Sequence, residues 1–248
     1  MALIFVVLIY LTCKHEQNIR FNFITNSIVQ DITSKDSKSF HINLLQCTKL
    51  QFQHVTITAP ANSPNTDGIH VAHSSQITIT NANIGTGDDC ISVGAGAQDV
   101  SVNQVTCGPG HGISVGSLGK YQNEEPVSGI RVTGATLSNT DNGVRIKTWP
   151  ASTSGAATDI HFEDVVMKNV ANPIIIDQNY CPNSQCSNQV IINISNIYTN
   201  FDVKKKSKTT NIEFLGALFC FVFSLPLKLR SAILASRKLV AVLRQRKL

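Results

Sequence analysis

Short runs of alternating apolar and polar residues fill the chain from about residue 18 to residue 200. Isoleucine, valine, threonine and phenylalanine make up the runs, and clusters of glycine, asparagine, aspartate and serine separate them. This alternation is typical of half-buried β-strands, and no stretch shows the period of 3.6 residues that a helix would need. The sequence therefore predicts an all-β structure of short strands and turns.

One strand recurs along the chain at a nearly constant spacing. Its first apolar residue is Ile69, then Ile91 and Ile113 at intervals of 22 residues, and Val144 and Ile174 follow at 31 and 30. Each repeat also carries a second predicted strand, at 50–59, 76–80, 100–102, 129–132, 159–162 and 189–194. Repeats made only of strands and turns predict a parallel β-helix, in which each coil buries its apolar face against its neighbours.

A β-sandwich is the alternative architecture, because it also consists of short strands with frequent turn signals. It does not explain why an acidic or imidazole side chain recurs before the same Ile-x-Val pattern. We therefore expect a parallel β-helix over residues 18–200, after an apolar leader or signal peptide at 1–17. A basic and apolar tail at 201–248, disordered or helical, is expected not to continue the β-helix.

Charge is distributed unevenly along the chain. The formal net charge is +5, yet residues 1–200 hold 10 Lys and Arg against 14 Asp and Glu, and residues 201–248 hold 11 against 2. A nucleic-acid-binding protein carries its basic patch on the folded body, so nucleic acid is not an expected partner. The tail could lie on a membrane surface, but its apolar run at 214–227 is shorter than the roughly 20 residues that span a bilayer.

Seven cysteines bear on the compartment, and their spacing does not suggest zinc. Cys90 and Cys107 lie in adjacent repeats, and Cys181 and Cys186 close a short loop. Both pairs could form disulfides in an oxidising compartment, and buried free thiols are the alternative. A glycosylation sequon at 193–195 is also consistent with secretion.

The residues before the recurring strand carry the candidate chemistry. Two positions before its first apolar residue stand Asp67, Asp89, His111 and Asn142 in turn, and Asp88 adjoins Asp89. In a solenoid, equivalent positions form a column whose neighbours are about 4.8 Å apart. The sequence therefore predicts carboxylates and an imidazole stacked on one surface.

Alternate side chains of a strand face opposite ways. If the isoleucines and valines face inward, the outward residues are His70, Ser92, Ser114, and Arg145 with Lys147. Ion pairs with only a structural role are expected to be dispersed over the surface rather than gathered at strand ends. Two cations beside three carboxylates suit a substrate that is itself an acid.

Carboxylates that flank a bond, with room for a water, describe glycoside hydrolysis; the inverting geometry separates them by roughly 6.5–9.5 Å. Asp88 and Asp89 are neighbours in a turn and can diverge, one toward the bond and one toward Asp67. Crowding of like charges raises the pKa of one member. A neutral general acid beside two ionised carboxylates is then achievable at mildly acidic pH.

Four ordered motifs resemble those of the polygalacturonases, a glycoside hydrolase family that degrades pectin. They are Asn-Thr-Asp at 65–67, Gly-Asp-Asp at 87–89, Gly-His-Gly at 110–112 and Arg-Ile-Lys at 145–147. The resemblance covers about residues 18–200, and the flanking residues are similar to plant members. It implies a right-handed parallel β-helix, secreted to the cell wall, that hydrolyses α-1,4 bonds of polygalacturonate with inversion, as a monomer without metal or other cofactor.

The resemblance also implies roles for the catalytic residues. Asp88 would be the general acid, and Asp67 and Asp89 would hold the attacking water. His111 would tune the acid or contact the substrate.

The substrate-binding residues follow in the same way. Arg145 and Lys147 would bind the galacturonate carboxylate, and Asn65 would line the site. Family members also form a disulfide between the equivalents of Cys90 and Cys107.

The resemblance implies further coils before Ile19 and after Asn200, so we expect the chain to depart from the family at both ends. End repeats without caps expose apolar faces, so a catalytically inactive pectin-binding β-helix is one alternative. A calcium-dependent pectate lyase on the same fold is another. Segments 119–127 and 180–182 resemble exopolygalacturonases, so we expect exo rather than endo action.

Overall fold

The computed structural model describes residues 2–3, 17–150, 155–182, 186, 192–204 and 238–240. Within these ranges the chain forms strands and turns and no helix, so no helix there is long and apolar enough to cross a membrane. Strands of successive coils pair in parallel, which confirms the predicted β-helix. Most of the predicted leader and tail lies outside the described residues.

The strands stack into three faces, and each coil contributes one strand to each. The first sheet holds β1 (Ala2–Leu3), β3 (Thr25–Gln30), β6 (Thr48–Gln53), β9 (Ser75–Thr80), β12 (Gln98–Asn103), β15 (Val127–Thr133), β18 (Ala156–Lys168) and β20 (Asn193–Lys204). The second sheet holds β4 (Thr33–Lys35), β7 (Thr56–Thr58), β10 (Asn83–Gly85), β13 (Thr106–Cys107) and β16 (Thr136–Ser138), and the long strand β18 also pairs with it. The third sheet holds β2 (Ile19–Asn22), β5 (Ile42–Leu45), β8 (Ile69–Ala72), β11 (Ile91–Val93), β14 (Ile113–Leu118), β17 (Asn142–Thr148), β19 (Asn172–Asp177) and β21 (Lys238–Val240).

The third sheet has the register that the spacing predicts. Ile69 pairs with Ile91, Ile91 with Ile113, and Ile113 with Val144. All four side chains are at most 1% exposed and belong to one continuous core. Burial of such ladders between coils is the main stabilising term of a solenoid.

The first and second sheets meet at a column of left-handed residues. Its members have φ between +52° and +65° and are Asp31, His54, Asn81, Gln104, Gly134 and Asp164. In each case from Asp31 to Gly134 the N–H of the corner residue donates to a carbonyl of the next coil, as Gln104 does to Thr133 at 3.0 Å. Polar residues tolerate this conformation better than β-branched ones, which explains the Asn and Asp clusters between strands.

The sequence prediction missed the third strand of each coil. The expected strand at 50–59 is two strands, β6 and β7, with a left-handed residue between them. Strands of two or three residues hold too few positions to show a period of two. At the C-terminal end, β20 continues to Lys204, past the expected boundary at 200, and β21 pairs antiparallel with β19.

Candidate active site

Three aspartates gather at the start of the third sheet because the turns before its strands are stacked. Asp67 precedes β8, and Asp88 and Asp89 precede β11. The N–H of Gly68 donates to the carbonyl of Asp89 at 2.9 Å, and the N–H of His111 donates to that of Asp88 at 2.8 Å. These backbone hydrogen bonds place the side chains of the three aspartates and of His111 on neighbouring turns at one edge of the sheet.

Asp89 is the centre of the cluster and is 1% exposed. Its Oδ1 accepts hydrogen bonds from Arg145 Nη2 and from Ser114 Oγ, both at 2.8 Å. Its Oδ2 accepts one from Lys147 Nζ at 2.8 Å. Two cations therefore compensate the buried charge, as a buried carboxylate requires. The residues expected to anchor a substrate are thus already held by Asp89.

Asp88 is the most exposed of the three aspartates, with 21% of its side chain open to solvent. Its Oδ1 accepts the N–H of Asp89 at 2.8 Å and lies 3.0 Å from His111 Nδ1. Burial alone would raise the pKa of Asp88, but the hydrogen bond and charge of His111 hold this pKa below its usual value. The same hydrogen bond raises the pKa of His111 above its usual value.

Asp67 is 7% exposed, and its pKa is raised to about 7. Burial is the main cause, followed by the negative charges of Asp89 and Asp88, whereas a hydrogen bond from Ser92 and the charge of Lys147 lower this pKa. Crowding does raise the pKa of one carboxyl, as the sequence predicts. That carboxyl is Asp67 and not Asp88, because His111 hydrogen-bonds Asp88 directly.

Ser92 hydrogen-bonds Asp67, and His70 in turn contacts Ser92. The Nδ1 atom of His70 lies 2.8 Å from Ser92 Oγ, the hydroxyl that bonds Asp67. The imidazole also stacks on Phe40, with ring centroids 4.8 Å apart, and burial lowers its pKa to about 4. A neutral imidazole can therefore fix the orientation of the hydroxyl. The sequence placed both residues outward on their strands but gave them no role.

Two other residues that the sequence singled out are Asn65 and Asn142. Asn65 is exposed, two residues before Asp67, and Asn142 Nδ2 donates to the carbonyl of His111 at 3.3 Å. Asp141, which the sequence analysis missed, places Oδ2 at 3.6 Å from His111 Nε2. Its place beside a column position was the signal that could have found it.

Among the described residues, Cys90 is bonded to Cys107 and Cys181 to Cys186. The first disulfide joins Cys90, which follows Asp89 and precedes β11, to Cys107 at the end of β13. Cys47 is a buried free thiol.

A metal ion would find three ligand groups in this cluster. One atom each of Asp88, Asp89 and His111 lie within 4.8 Å of one another. Both oxygens of Asp89 accept hydrogen bonds from cationic side chains, however, and a metal would have to displace Arg145 or Lys147. We assign no metal to the site, and the expected lack of a cofactor remains a prediction.

The fold and the site together define a class of protein, the parallel β-helix glycoside hydrolases. A family model described as Glycosyl hydrolases family 28 matches residues 10–219, and the chain belongs to this family. The resemblance found in the sequence motifs is thereby confirmed.

The similar proteins include plant and bacterial enzymes. An exopolygalacturonase of Platanus acerifolia is 60% identical over 191 residues, which are 76% of this chain and 51% of that protein. A polygalacturonase of Gossypium barbadense is 54% identical over 195 residues, 75% of this chain and 48% of that protein. The polygalacturonase from Erwinia carotovora ssp. carotovora superposes with a TM-score of 0.67 at 29% identity, over 77% of this chain and 50% of that one. The chain thus spans about half the length of the relatives that it matches.

Proposed function

We propose that this protein hydrolyses the α-1,4 bonds of polygalacturonate, with inversion at the anomeric carbon. The observation that carries the proposal is the ion pairing of Asp89 with both Arg145 and Lys147, next to the partly exposed Asp88, at one end of the third sheet. The names of the similar proteins, polygalacturonase and exopolygalacturonase, support this substrate.

Arg145 and Lys147 can serve Asp89 and a substrate carboxylate together. Arg145 uses Nε for Ser114 at 3.1 Å and Nη2 for Asp89. A guanidinium has five N–H donors and an ammonium has three, so further donors remain on each cation. A galacturonate carboxylate would share these cations rather than displace Asp89.

Asp88 is the proposed general acid because it is the carboxylate that a substrate can reach. Its side chain is 21% exposed, whereas Asp67 and Asp89 are 7% and 1% exposed. A bound polyanion adds negative charge beside Asp88 and excludes water, and both effects raise its pKa toward the value that an acid needs. Asp67 and Asp89 then hold the attacking water on the other side of the bond.

The test is incubation of the full chain with polygalacturonate at pH 4–6, followed by reducing-end and NMR analysis. We expect new reducing ends whose first anomer is β, since inversion of an α bond gives the β product. Asp88→Asn should lose at least about 10² of kcat. A first product with the α anomer would contradict inversion.

A second assignment of the acid is supported by the raised pKa of Asp67. An aryl galacturonide with a good leaving group distinguishes the two, because such a substrate needs little proton donation. If Asp88 is the acid, Asp88→Asn should recover most of its activity on this substrate and Asp67→Asn should not. The reverse pattern would assign the acid to Asp67.

We further propose exo action in a secreted protein. The exo preference is supported by the loop at 119–127 and by the name of the Platanus relative. Secretion is supported by two disulfides and by the sequon at 193–195. Product size over time tests the first proposal, because monomer alone means exo and mixed oligomers mean endo.

The two alternatives have different products. An inactive pectin-binding β-helix would bind polygalacturonate without releasing any product. A lyase would release unsaturated products and would lose activity when calcium is chelated.

A further inference from the structure

The loop after β14 places Lys120 against two aromatic rings. Its Nζ lies 5.3 Å from the ring centroid of Tyr121 and 5.4 Å from that of Trp149. Lys120 is exposed, and none of the ion pairs found among the described residues involves it. A cation held on aromatic faces keeps its charge available to an incoming anion.

This loop has a fixed shape of its own. The Glu124 carboxylate accepts the N–H of Gly119 at 2.6 Å and the N–H of Tyr121 at 2.8 Å. The two donors, Gly119 and Tyr121, are the residues directly before and after Lys120. The position of its backbone is therefore set before any ligand binds.

Trp149 connects this loop to the catalytic cluster. Its Nε1 donates to Ser117 Oγ at 3.0 Å, which orients the indole, and its ring meets the ring of Tyr180 edge to face at 5.8 Å. The ring of Tyr180 lies 5.2 Å from Lys147 Nζ, and Lys147 bonds Asp89. A chain of neighbouring rings and cations therefore leads from Asp89 through Lys147, Tyr180 and Trp149 to Lys120.

We propose that Lys120 and Trp149 form a further binding subsite for a uronate unit of an acidic polysaccharide. The C–H face of the sugar packs on the indole, and its carboxylate pairs with the Lys120 ammonium. The subsite rests on the proposed function in one respect, since its ligand is another unit of the chain whose bond the aspartates hydrolyse. Lys147 and Lys120, separated by two rings, match a polymer that carries a carboxylate on every sugar.

Intrinsic fluorescence tests the subsite directly, because Trp149 is the single tryptophan of the chain. The full chain carrying Asp88→Asn, which is expected to slow turnover at least about 10²-fold, is titrated with tetragalacturonate. Saturable change in tryptophan emission is expected. Adding Lys120→Met should raise Kd about fivefold, the effect of losing one partly exposed ion pair, and should weaken the dependence of Kd on salt.

Two controls separate charge from folding. Lys120→Arg keeps the cation and should keep Kd within about twofold. Lys35→Met, at an exposed position on β4 in the first coil, should leave Kd unchanged. Methyl-esterified tetragalacturonate has no carboxylate to pair, so Lys120→Met should not affect its Kd.

The outcomes distinguish this subsite from the proposed function. The subsite alone is overturned if the parent hydrolyses polygalacturonate but Lys120→Met does not change the Kd for tetragalacturonate. It is also overturned if the parent hydrolyses polygalacturonate but Trp149 emission does not change on titration. Lys120-dependent binding by a parent protein that releases no product supports the subsite and contradicts hydrolysis. No binding at millimolar tetragalacturonate overturns both.

Discussion

Lys147 and Asp89 form an ion pair that is largely shielded from solvent. Nζ and Oδ2 are 2.8 Å apart, and the two side chains are 9% and 1% exposed. Arg145 adds a second cation to the same carboxylate at 2.8 Å. Removal of one member of such a pair leaves a buried charge without compensation. The proposed substrate anchor is therefore also part of the folded structure.

Replacing Lys147 by methionine should lower both activity and stability. We expect a loss of about 2 kcal/mol in the free energy of unfolding, less than for a pair without a second cation, because Arg145 remains. Urea denaturation measures this loss, and kcat/KM should fall in the same variant. The exposed Lys35→Met should stay within about 0.5 kcal/mol of the parent. Equal losses in the two variants would contradict a buried pair.

Asp67→Asn should stabilise the protein at alkaline pH while it abolishes hydrolysis. The folded protein keeps the proton of Asp67 up to about pH 7, whereas the unfolded chain releases it near pH 4. The stability linked to this proton is complete below about pH 4 and is lost as pH rises through 7. Asparagine has no such proton to lose.

Thermal unfolding at a series of pH values measures this effect. The Tm of Asp67→Asn should exceed that of the parent at pH 8 by roughly 2–4 °C or more, and the difference should shrink toward pH 4. A difference that does not change with pH would show that Asp67 is not held protonated by its surroundings.

Gly112 should not tolerate alanine, whereas Gly134 should tolerate asparagine. A Cβ on Gly112 would lie 2.1 Å from the carbonyl oxygen of Asn142 and 2.3 Å from that of Gly143, at a φ of +85°. A Cβ on Gly134 would come no closer than 3.7 Å to its neighbours, and Gln104 holds the same left-handed corner one coil away. Gly112→Ala should therefore displace His111 and lower kcat.

Gly134→Asn is the matched variant, because asparagine accepts a left-handed φ. Its Tm and kcat should stay close to those of the parent. Normal activity in Gly112→Ala would mean that the turn before β14 is not fixed by the backbone of β17.

The Cys90–Cys107 disulfide should contribute more stability than Cys181–Cys186. The sequence separations are 17 and 5 residues, and closing the longer loop restricts the unfolded chain more, by about 3 against 2 kcal/mol. Paired Cys→Ala variants at each disulfide, compared by urea denaturation, test this order. Equal losses would exclude loop closure as the main contribution.

The sequence was most informative where a repeat predicted which strands pair with each other in the fold. The spacing of Ile69, Ile91 and Ile113 predicted the register that stacks their strands, because coils of equal length return the chain to the same face. The short strands of the second sheet were not predictable in this way. They are defined by pairing with the coils above and below rather than by their own pattern.

The candidate site was likewise predictable from the sequence only in part. Repeat spacing predicted that the aspartates and His111 share one surface, and the alternation of side chains along a strand added Arg145 and Lys147 to it. Spacing did not show that both cations bond Asp89, since a side chain can reach several neighbours once its strand is placed. It also did not show which aspartate retains a proton.

The sequence by itself determined the class of fold and the order of the motifs that form the candidate site, because both are periodic along the chain. Tertiary structure decided three features: the raised pKa of Asp67, the hydrogen bond from Ser92 to Asp67, and the contact of Lys120 with the ring of Trp149. Each of these depends on burial or on distances between residues of different coils. Desolvation and short-range pairing are properties of the packed solenoid, and no local pattern encodes them.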